Sequence, residues 1–570
     1  MPEFVWTPGE RRIAFRRGES LLDALRRAGI DLEAPCGGKG VCGRCRVRVR
    51  AADEVPATPH EKLSAAEAAD GVRLACRLAP EDGWRVEPAR PPESDLRVVA
   101  AAGGDGAPVR PAVRVFRAAD GWAVRFGRGR PRPLSRWEAA WRPRGVALDL
   151  GTTTLVVSLL DLSSGERLAV GSGRNPQTRF GHDVVSRILV GSRPEGLRAL
   201  RDAVRSAVRD LVAGCCREAG VEPEEILEMV VGGNTTMLHL AVGEDPSPLG
   251  HAPFRHRLRT GAARSLRPWG LGANPAARLY LPPVAHAFVG SDVTVGLWVT
   301  GFFRARRPEL FLDVGTNGEV ALTTGVRRLV TSAAAGPAFE GMGIRFGMRA
   351  AAGAIERVGW DGRDLTVEVI GGGPARGICG SGLLDAVAVL LDRGVIDTRG
   401  RVLRPGEYAG PAALRDRLGE YEGKPAVHLA DGVFLTQADV RQVQLAKGAI
   451  RAAVDCLLDA AGLGPEDLGR VVLAGGFGLH LWPGGLERIG LLPPGLADRV
   501  EFAGNTSQGG CEALLRDAGA RGRLRRAVRS LEHLGLAGLP AFRDRFMAAM
   551  RFPPADVGTV GRWDGETVGR

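Results

Sequence analysis

GVALDLGTTTLVVSLLDL, residues 145–162, is an apolar run, an Asp-x-Gly-Thr-Thr-Thr turn and a second apolar run. Two short apolar runs joined by a Gly-bearing polar turn predict a buried β-hairpin. The pattern recurs at 310–324 as LFLDVGTNGEVALTT, and RVVLAGGFG at 470–478 is a further apolar run opening into glycines. Around these stations the chain alternates strand-like and helix-like segments, which predicts an α/β architecture from Gly145 onward. One Asp-x-Gly-Thr is weak evidence, because ordinary hairpins carry it. Three stations in this order carry much more.

Two such hairpins in successive halves, followed by a Gly-Gly turn, resemble the actin/hexokinase/chaperone ATPase superfamily. The resemblance implies a two-lobed actin-like (RNase H-like) domain whose hairpin turns close on a triphosphate from opposite sides. Backbone N–H groups and hydroxyls at Gly151, Thr152, Thr153, Gly315, Thr316 and Asn317 then donate to phosphoryl oxygens. Asp149 and Asp313 supply carboxylates to a largely hydrated Mg²⁺, and Gly475 and Gly476 let the backbone approach adenine and ribose. Asp292, in VGSDVTVGLWVTGFF (289–303), stands where these ATPases carry a water-orienting Glu or Gln. The plainer reading is that it N-caps the helix that follows. AGNTSQGGCEALL (503–515) matches the second connecting segment.

Ahead of this region stands Cys36-x5-Cys42-x2-Cys45, answered by Cys76. Four thiolates, three clustered and one distant, suit a [2Fe–2S] cluster, and Gly37, Gly38, Gly40 and Gly43 let the loop turn tightly around it. A structural zinc site more often pairs two short CxxC units. FVWTP and RRIAFRR read as a hairpin, and Ser20 caps a helix with Leu21, Leu22 and Leu25 on one face. In this order residues 1–88 resemble a β-grasp [2Fe–2S] ferredoxin domain, an α+β unit.

The remaining organisation follows from composition. Residues 89–144 combine a Pro/Gly/Ala-rich linker with two alternating runs, AVRVFRA and GWAVRFG, the reading being a reduced middle domain. ATPase lobes are expected at 145–300 and 301–530, with a C-terminal tail of unknown role at 531–570. A chain of 570 residues accommodates several cores. Nine cysteines, four of them assigned to a cluster, fit a reducing compartment. The N-terminus lacks a signal-peptide core, and no apolar run approaches the roughly 20 residues that cross a bilayer. A cytoplasmic protein without membrane association is expected. The net charge of +12 comes from scattered arginines with few aromatics, which argues against nucleic acid and leaves an acidic protein partner open.

A ferredoxin unit and such an ATPase on one chain resemble the reductive activators of corrinoid proteins. NPQTRFGHDVVSRI (175–188), VVGGNTTMLHLAVG (230–243), GPAFEGMGIRFGMRAAAGAIERV (336–358), GICGSGLLDAV (377–387) and QADVRQVQLAKGAIRAAVDCLL (437–458) extend the likeness. It implies ATP-dependent passage of single electrons from the cluster to Co(II), regenerating Co(I). It also implies a corrinoid protein as acceptor, a low-potential electron donor and a homodimer. The alternatives are a small-molecule kinase of the acetate/sugar-kinase type with a ferredoxin tail, and a plain electron carrier. Cys379 is either an activated thiol or a buried inert one. Asn234, Thr235 and Thr236 sit at a strand end, where ligands of α/β sheets gather. Glu340 is either functional or a helix-start carboxylate.

Overall fold

The computed structural model describes residues 109–181, 183–475 and 481–554 without a break. It also describes 2–89 apart from 8, 31, 33, 35–37, 39, 41, 42, 44, 52–54, 56–62 and 64. The N-terminal unit is a five-stranded sheet in the order Arg11–Ala14, Glu3–Trp6, Arg85–Pro88, Arg46–Arg50, Val72–Leu74. Its first and last strands run parallel and its other pairs antiparallel, the β-grasp arrangement. Helix Leu21–Arg27 carries Leu21, Leu22 and Leu25 into the core, and the Ser20 side chain accepts from the Asp23 N–H at its start.

The two hairpin stations each found a six-stranded sheet. The first runs Arg167–Arg174, Thr154–Asp161, Arg144–Leu150, Ile226–Gly233, Arg278–Leu281, Ala262–Ser265. The second runs Val500–Gly504, Arg470–Ala474, Glu309–Val314, Gly318–Thr323, Arg328–Ala333, Leu531–His533. In both, an antiparallel trio built on the Asp-x-Gly-Thr hairpin continues into parallel strands on its other side. One lobe therefore repeats the other. Helix Pro194–Ala219 covers the first sheet with Leu200, Val204, Val208 and Val212, spaced so that one face is apolar, and Gly220 ends it in the left-handed region.

Helices Ser291–Val299 and Thr506–Arg516 pack against each other between the lobes. A Cβ on Gly296 would lie 2.7 Å from Thr506 Oγ1, and one on Gly510 would lie 2.5 Å from the Val295 carbonyl oxygen. The crossing is close because both positions lack side chains.

Residues flanking these lobes belong to them. The strands Val113–Ala118 and Gly121–Phe126 form the hairpin read from the sequence. Val113, Val124 and Phe126 share a core with Leu160, Val230, Leu514 and Leu524, so this segment packs onto the first lobe. Leu531–His533 adds a parallel edge strand to the second sheet, a run too short to show periodicity. Helix Pro540–Ala549 lies against helix Gln437–Ala461, and Lys447 donates to the Arg551 carbonyl oxygen. The ferredoxin unit meets the second lobe through Glu67, 3.4 Å from Arg345 and 3.3 Å from Arg46.

Arg521 Nη1 and Nη2 each donate to a Glu228 carboxylate oxygen at 2.8 Å, pinning helix Ala518–Val528 to the first sheet, with Glu228 1% exposed. Arg521→Ala strands a buried carboxylate and is expected to destabilise the fold by about 3–5 kcal/mol. Adding Glu228→Leu should recover most of that loss, as read by urea unfolding.

Candidate functional site

The two Asp-x-Gly-Thr turns face each other across a cleft of about 480 Å³ between the lobes. Asp149, Gly151, Thr152, Thr153, Asp292, Asp313, Gly315, Thr316, Asn317 and Gly475 all line it, while Gly476 lies outside the described residues. A Cβ on Gly475, whose φ is +117°, would lie 2.6 Å from the Val314 carbonyl oxygen, so strand 470–474 can turn into the cleft there only with glycine.

Each turn is braced from behind. Asn175 Nδ2 donates to the Gly151 carbonyl at 2.8 Å, and buried Arg187 donates through Nη2 to the Thr152 carbonyl at 2.6 Å. Asn234 caps helix Thr235–Val242 through Oδ1, and its Nδ2 donates to Thr152 Oγ1 at 2.9 Å. Thr235 donates to the His286 carbonyl, and Thr236 is buried. Of that strand-end trio, Asn234 alone lines the cleft. On the second turn, Thr316 Oγ1 donates to Glu340 Oε1 at 2.7 Å. Glu340 is the last residue of the one-turn 3₁₀ helix Pro337–Glu340 and also lines the cleft.

Four carboxylates converge here. Asp149 accepts from Asn505 Nδ2 at 2.8 Å and from Ser507 Oγ at 2.7 Å, and burial still raises its pKa. Asp313 is pushed up to about 7 by burial and by Asp149, and Asp292 to about 8 by burial and by Asp313. Glu319 pairs with Asp313 across the hairpin and accepts from Ser332 Oγ. Burial, then the Asp292 and Asp313 charges, lift it well above the carboxylate range. Asp292 is the second residue of its helix, with Gly290 at the N-cap position, so the capping reading does not hold. Its Oδ1 accepts from the Val293 N–H. Glu319, Asn505 and Ser507 escaped the sequence reading. The signal for Glu319 was its place in DVGTNGEV, in register opposite Asp313.

The thiols away from the N-terminus are quiet. Cys379 lines the cleft, is buried against the Ile355 carbonyl and Ser381, and burial raises its pKa. Burial likewise pushes Cys215 and Cys216 up to about 11. Such groups are the reverse of an activated thiolate.

In the ferredoxin unit, Cys45 and Cys76 flank the pairing of Arg46 with Leu74, and the Ala75 N–H donates to the Cys45 carbonyl. Gly38 returns to this edge, where a Cβ on it would sit 4.0 Å from Cys76 Cβ. Two of the four proposed ligands are thus brought to one sheet edge. Cys36 and Cys42 lie outside the described residues.

Comparison with known proteins agrees with this geometry. The sequence profile of a 2Fe-2S iron-sulfur cluster binding domain matches residues 4–81. That of the RACo middle region matches 144–305, and that of the C-terminal domain of RACo, the ASKHA domain, matches 307–562. The middle-region match falls on the stretch read above as the first ATPase lobe. The corrinoid activation enzyme RamQ of Eubacterium limosum is 34% identical over 72% of this chain and 70% of its own length. The chain belongs to the family of reductive activators of corrinoid proteins. A solved structure titled reductive activator for corrinoid, iron-sulfur protein is similar at 30% identity and TM-score 0.69, covering 98% of this chain and 99% of that one. The [Co(II) methylated amine-specific corrinoid protein] reductase of Methanosarcina barkeri is 26% identical over 64% of this chain and 68% of its own length. The architecture is accordingly a ferredoxin domain followed by an actin/hexokinase-like domain.

The Thr153 and Thr506 hydroxyls are buried in the cleft with no hydrogen-bond partner among the described residues. A buried unsatisfied hydroxyl costs about 1–3 kcal/mol. Thr153→Val is therefore expected to raise the melting temperature of the ligand-free protein while weakening nucleotide binding. Thermal unfolding with and without MgATP reads both signs.

Proposed function

We propose that this chain is an ATP-dependent reductive activator that passes single electrons from its [2Fe–2S] cluster to the Co(II) of a corrinoid protein, giving Co(I). The observation that carries this reading is the union, on one chain, of a ferredoxin sheet with cysteines gathered at one edge and a cleft built from two Asp-x-Gly-Thr turns. The cluster supplies a one-electron couple. Cys36, Cys42, Cys45 and Cys76 would hold it through their thiolates.

The division of labour is proposed as residues 1–88 for electron carriage and lobes 145–300 and 301–530 for nucleotide, the hairpin at 113–126 bracing the first lobe and residues 531–549 extending the second. In the cleft, Gly151, Thr152 and Thr153 on one side and Gly315, Thr316 and Asn317 on the other donate to ATP phosphates. The two orphan hydroxyls and the crowded carboxylates fit such a ligand, because phosphate oxygens satisfy the first and a cation relieves the second. Asp149 and Asp313 would hold Mg²⁺, which neutralises phosphate charge. Gly475 and Gly476 admit the nucleoside, and Asp292 orients the attacking water.

ATP is needed on thermodynamic grounds. Each uphill gap of roughly 59 mV costs a factor of ten in a one-electron equilibrium. A plant-type cluster lies near about −400 mV, so a lower Co(II)/Co(I) couple is reached only when something shifts one of the two. Nucleotide does this through different affinities for open and closed lobes. A cytoplasmic homodimer recharged by a low-potential donor completes the reading.

Asp149→Ala and Asp313→Ala are each expected to abolish ATP-dependent Co(I) formation while leaving cluster absorbance intact, since loss of metal-held phosphate typically costs several kcal/mol. Cys76→Ser should do the opposite, removing most visible absorbance while ATP still binds. Full ATP-dependent turnover in both Asp variants would overturn the placement of the phosphate turns.

A further inference from the structure

Helix Val184–Gly191 has two faces with different duties. Inward, Arg187 is fully buried and reaches the Thr152 carbonyl of the first phosphate turn and the Gly181 carbonyl. Outward, Val185 and Leu189, one turn apart, are each 72% exposed. Between these faces Ile188 packs with Leu249, Ala287, Val184 and Phe254. The Phe254 ring lies 5.0 Å from that of Phe288, tilted against it, and Phe288 is 42% exposed. The first lobe thus exposes Val185, Leu189 and Phe288 around the small core of Ile188, apolar surface of the kind soluble proteins keep for partners.

The patch is wired to both sides of the cleft. Phe288 lies 5.7 Å from the His286 ring, and His286 stacks at 3.6 Å on His533, which belongs to the edge strand of the second sheet. Anything that moves the helix or Phe288 therefore bears on the phosphate turn through Arg187 and on the opposing lobe through His533.

The chain beside the patch is basic. After Phe254, the segment Arg255–Arg259 alternates, with Arg255, Arg257 and Arg259 exposed while His256 and Leu258 turn inward. A second copy meeting this face about a two-fold axis would double the basic charge within the interface, which like-charge repulsion opposes. An acidic partner is favoured.

Resting on the function proposed above, we propose that the outer face of helix Val184–Gly191, with Phe254 and Phe288, is where the corrinoid protein docks, through a surface that is apolar at its centre and acidic at its rim. Docking there couples partner to nucleotide, because the helix that receives the partner is the one that holds the Thr152 carbonyl. By linkage, nucleotide then alters partner affinity as much as partner alters nucleotide affinity.

The test uses the full, cluster-loaded chain and, as probe, a Co(II) corrinoid protein that the unaltered chain reduces with ATP. Two double variants are compared, Val185→Asp with Leu189→Asp and Arg255→Glu with Arg257→Glu. All four positions are exposed, so the fold is retained, and thermal unfolding checks this. Both variants are expected to weaken partner binding by titration calorimetry about tenfold, as loss of interface anchors does. ATP hydrolysis without partner should stay within about twofold of the unaltered chain, surface changes of this kind being small in effect. Partner affinity should fall with salt in the unaltered chain and less steeply in the arginine variant. Unchanged partner affinity in both variants would overturn the proposal. So would a change confined to the chain's own self-association, since a second copy would then be the occupant. Failure of the unaltered chain to reduce any Co(II) corrinoid protein would instead overturn the functional reading, and this proposal with it.

Discussion

Four carboxylates, Asp149, Asp292, Asp313 and Glu319, stand half-buried in one cleft between two sheets, and Asp149, Asp292 and Asp313 each raise the pKa of another. Charge of one sign packed this way in a low dielectric is held only by protonation or by a counter-cation. No stable core would be arranged so for its own sake. Each acid comes from an element that the fold cannot move: two strand ends, the return arm of a hairpin and the first turn of a helix. Asn505 and Ser507, from the opposite connecting helix, hold Asp149 in place. The lobes are therefore tied to each other through the site itself, and what occupies the cleft sets how they sit. The Mg²⁺ of the proposed nucleotide complex supplies the missing positive charge, and the phosphates it carries, held by both turns, supply a reason for closure.

The repeated topology explains why one ligand can report to the whole molecule. Both turns join the central strand of their sheet to its antiparallel neighbour, and both are braced by a residue from another segment, Asn234 and Arg187 on one side and Glu340 on the other. Where the connecting helices cross, Gly296 and Gly510 leave no side chain to cushion the contact. Packed interfaces of this kind respond by shifting between arrangements rather than by gradual deformation. The ferredoxin domain rests on the second lobe through Glu67 and Arg345, so lobe position and cluster position are physically connected.

Much of this was legible in the sequence because phosphate turns and cluster loops are contiguous. Asp149 to Thr153, Asp313 to Asn317 and Gly475 are read as short words, and the fold brings them to one cleft. Cys45 and Cys76 likewise come to the same end of one strand pair. What escaped notice is assembled from afar. Glu319 is an ordinary polar position of an alternating strand until register sets it opposite Asp313. Asn175 and Arg187 occupy a block whose likeness to the family was plain, yet only the folded chain shows that they grip the first turn. The strand Leu531–His533 carries three residues, too few for any period to register, and its place at the edge of the second sheet is fixed by pairing with Arg328–Val330. The hairpin at 113–126 was visible as alternation, but its packing onto the first lobe depends on Leu160, Val230 and Leu514, distant in sequence.

On the proposed reading, nucleotide in the cleft makes the electron transfer possible. This is tested most directly by mixing the anaerobically reduced, cluster-loaded chain with a Co(II) corrinoid protein in a stopped-flow spectrophotometer, with and without MgATP. Cobalt reduction and cluster oxidation are followed together. With MgATP, Co(I) is expected to appear in step with one-electron oxidation of the cluster, and without nucleotide it should barely form. Equal rates and yields of Co(I) in the two mixtures would contradict this reading, leaving the chain a simple electron carrier.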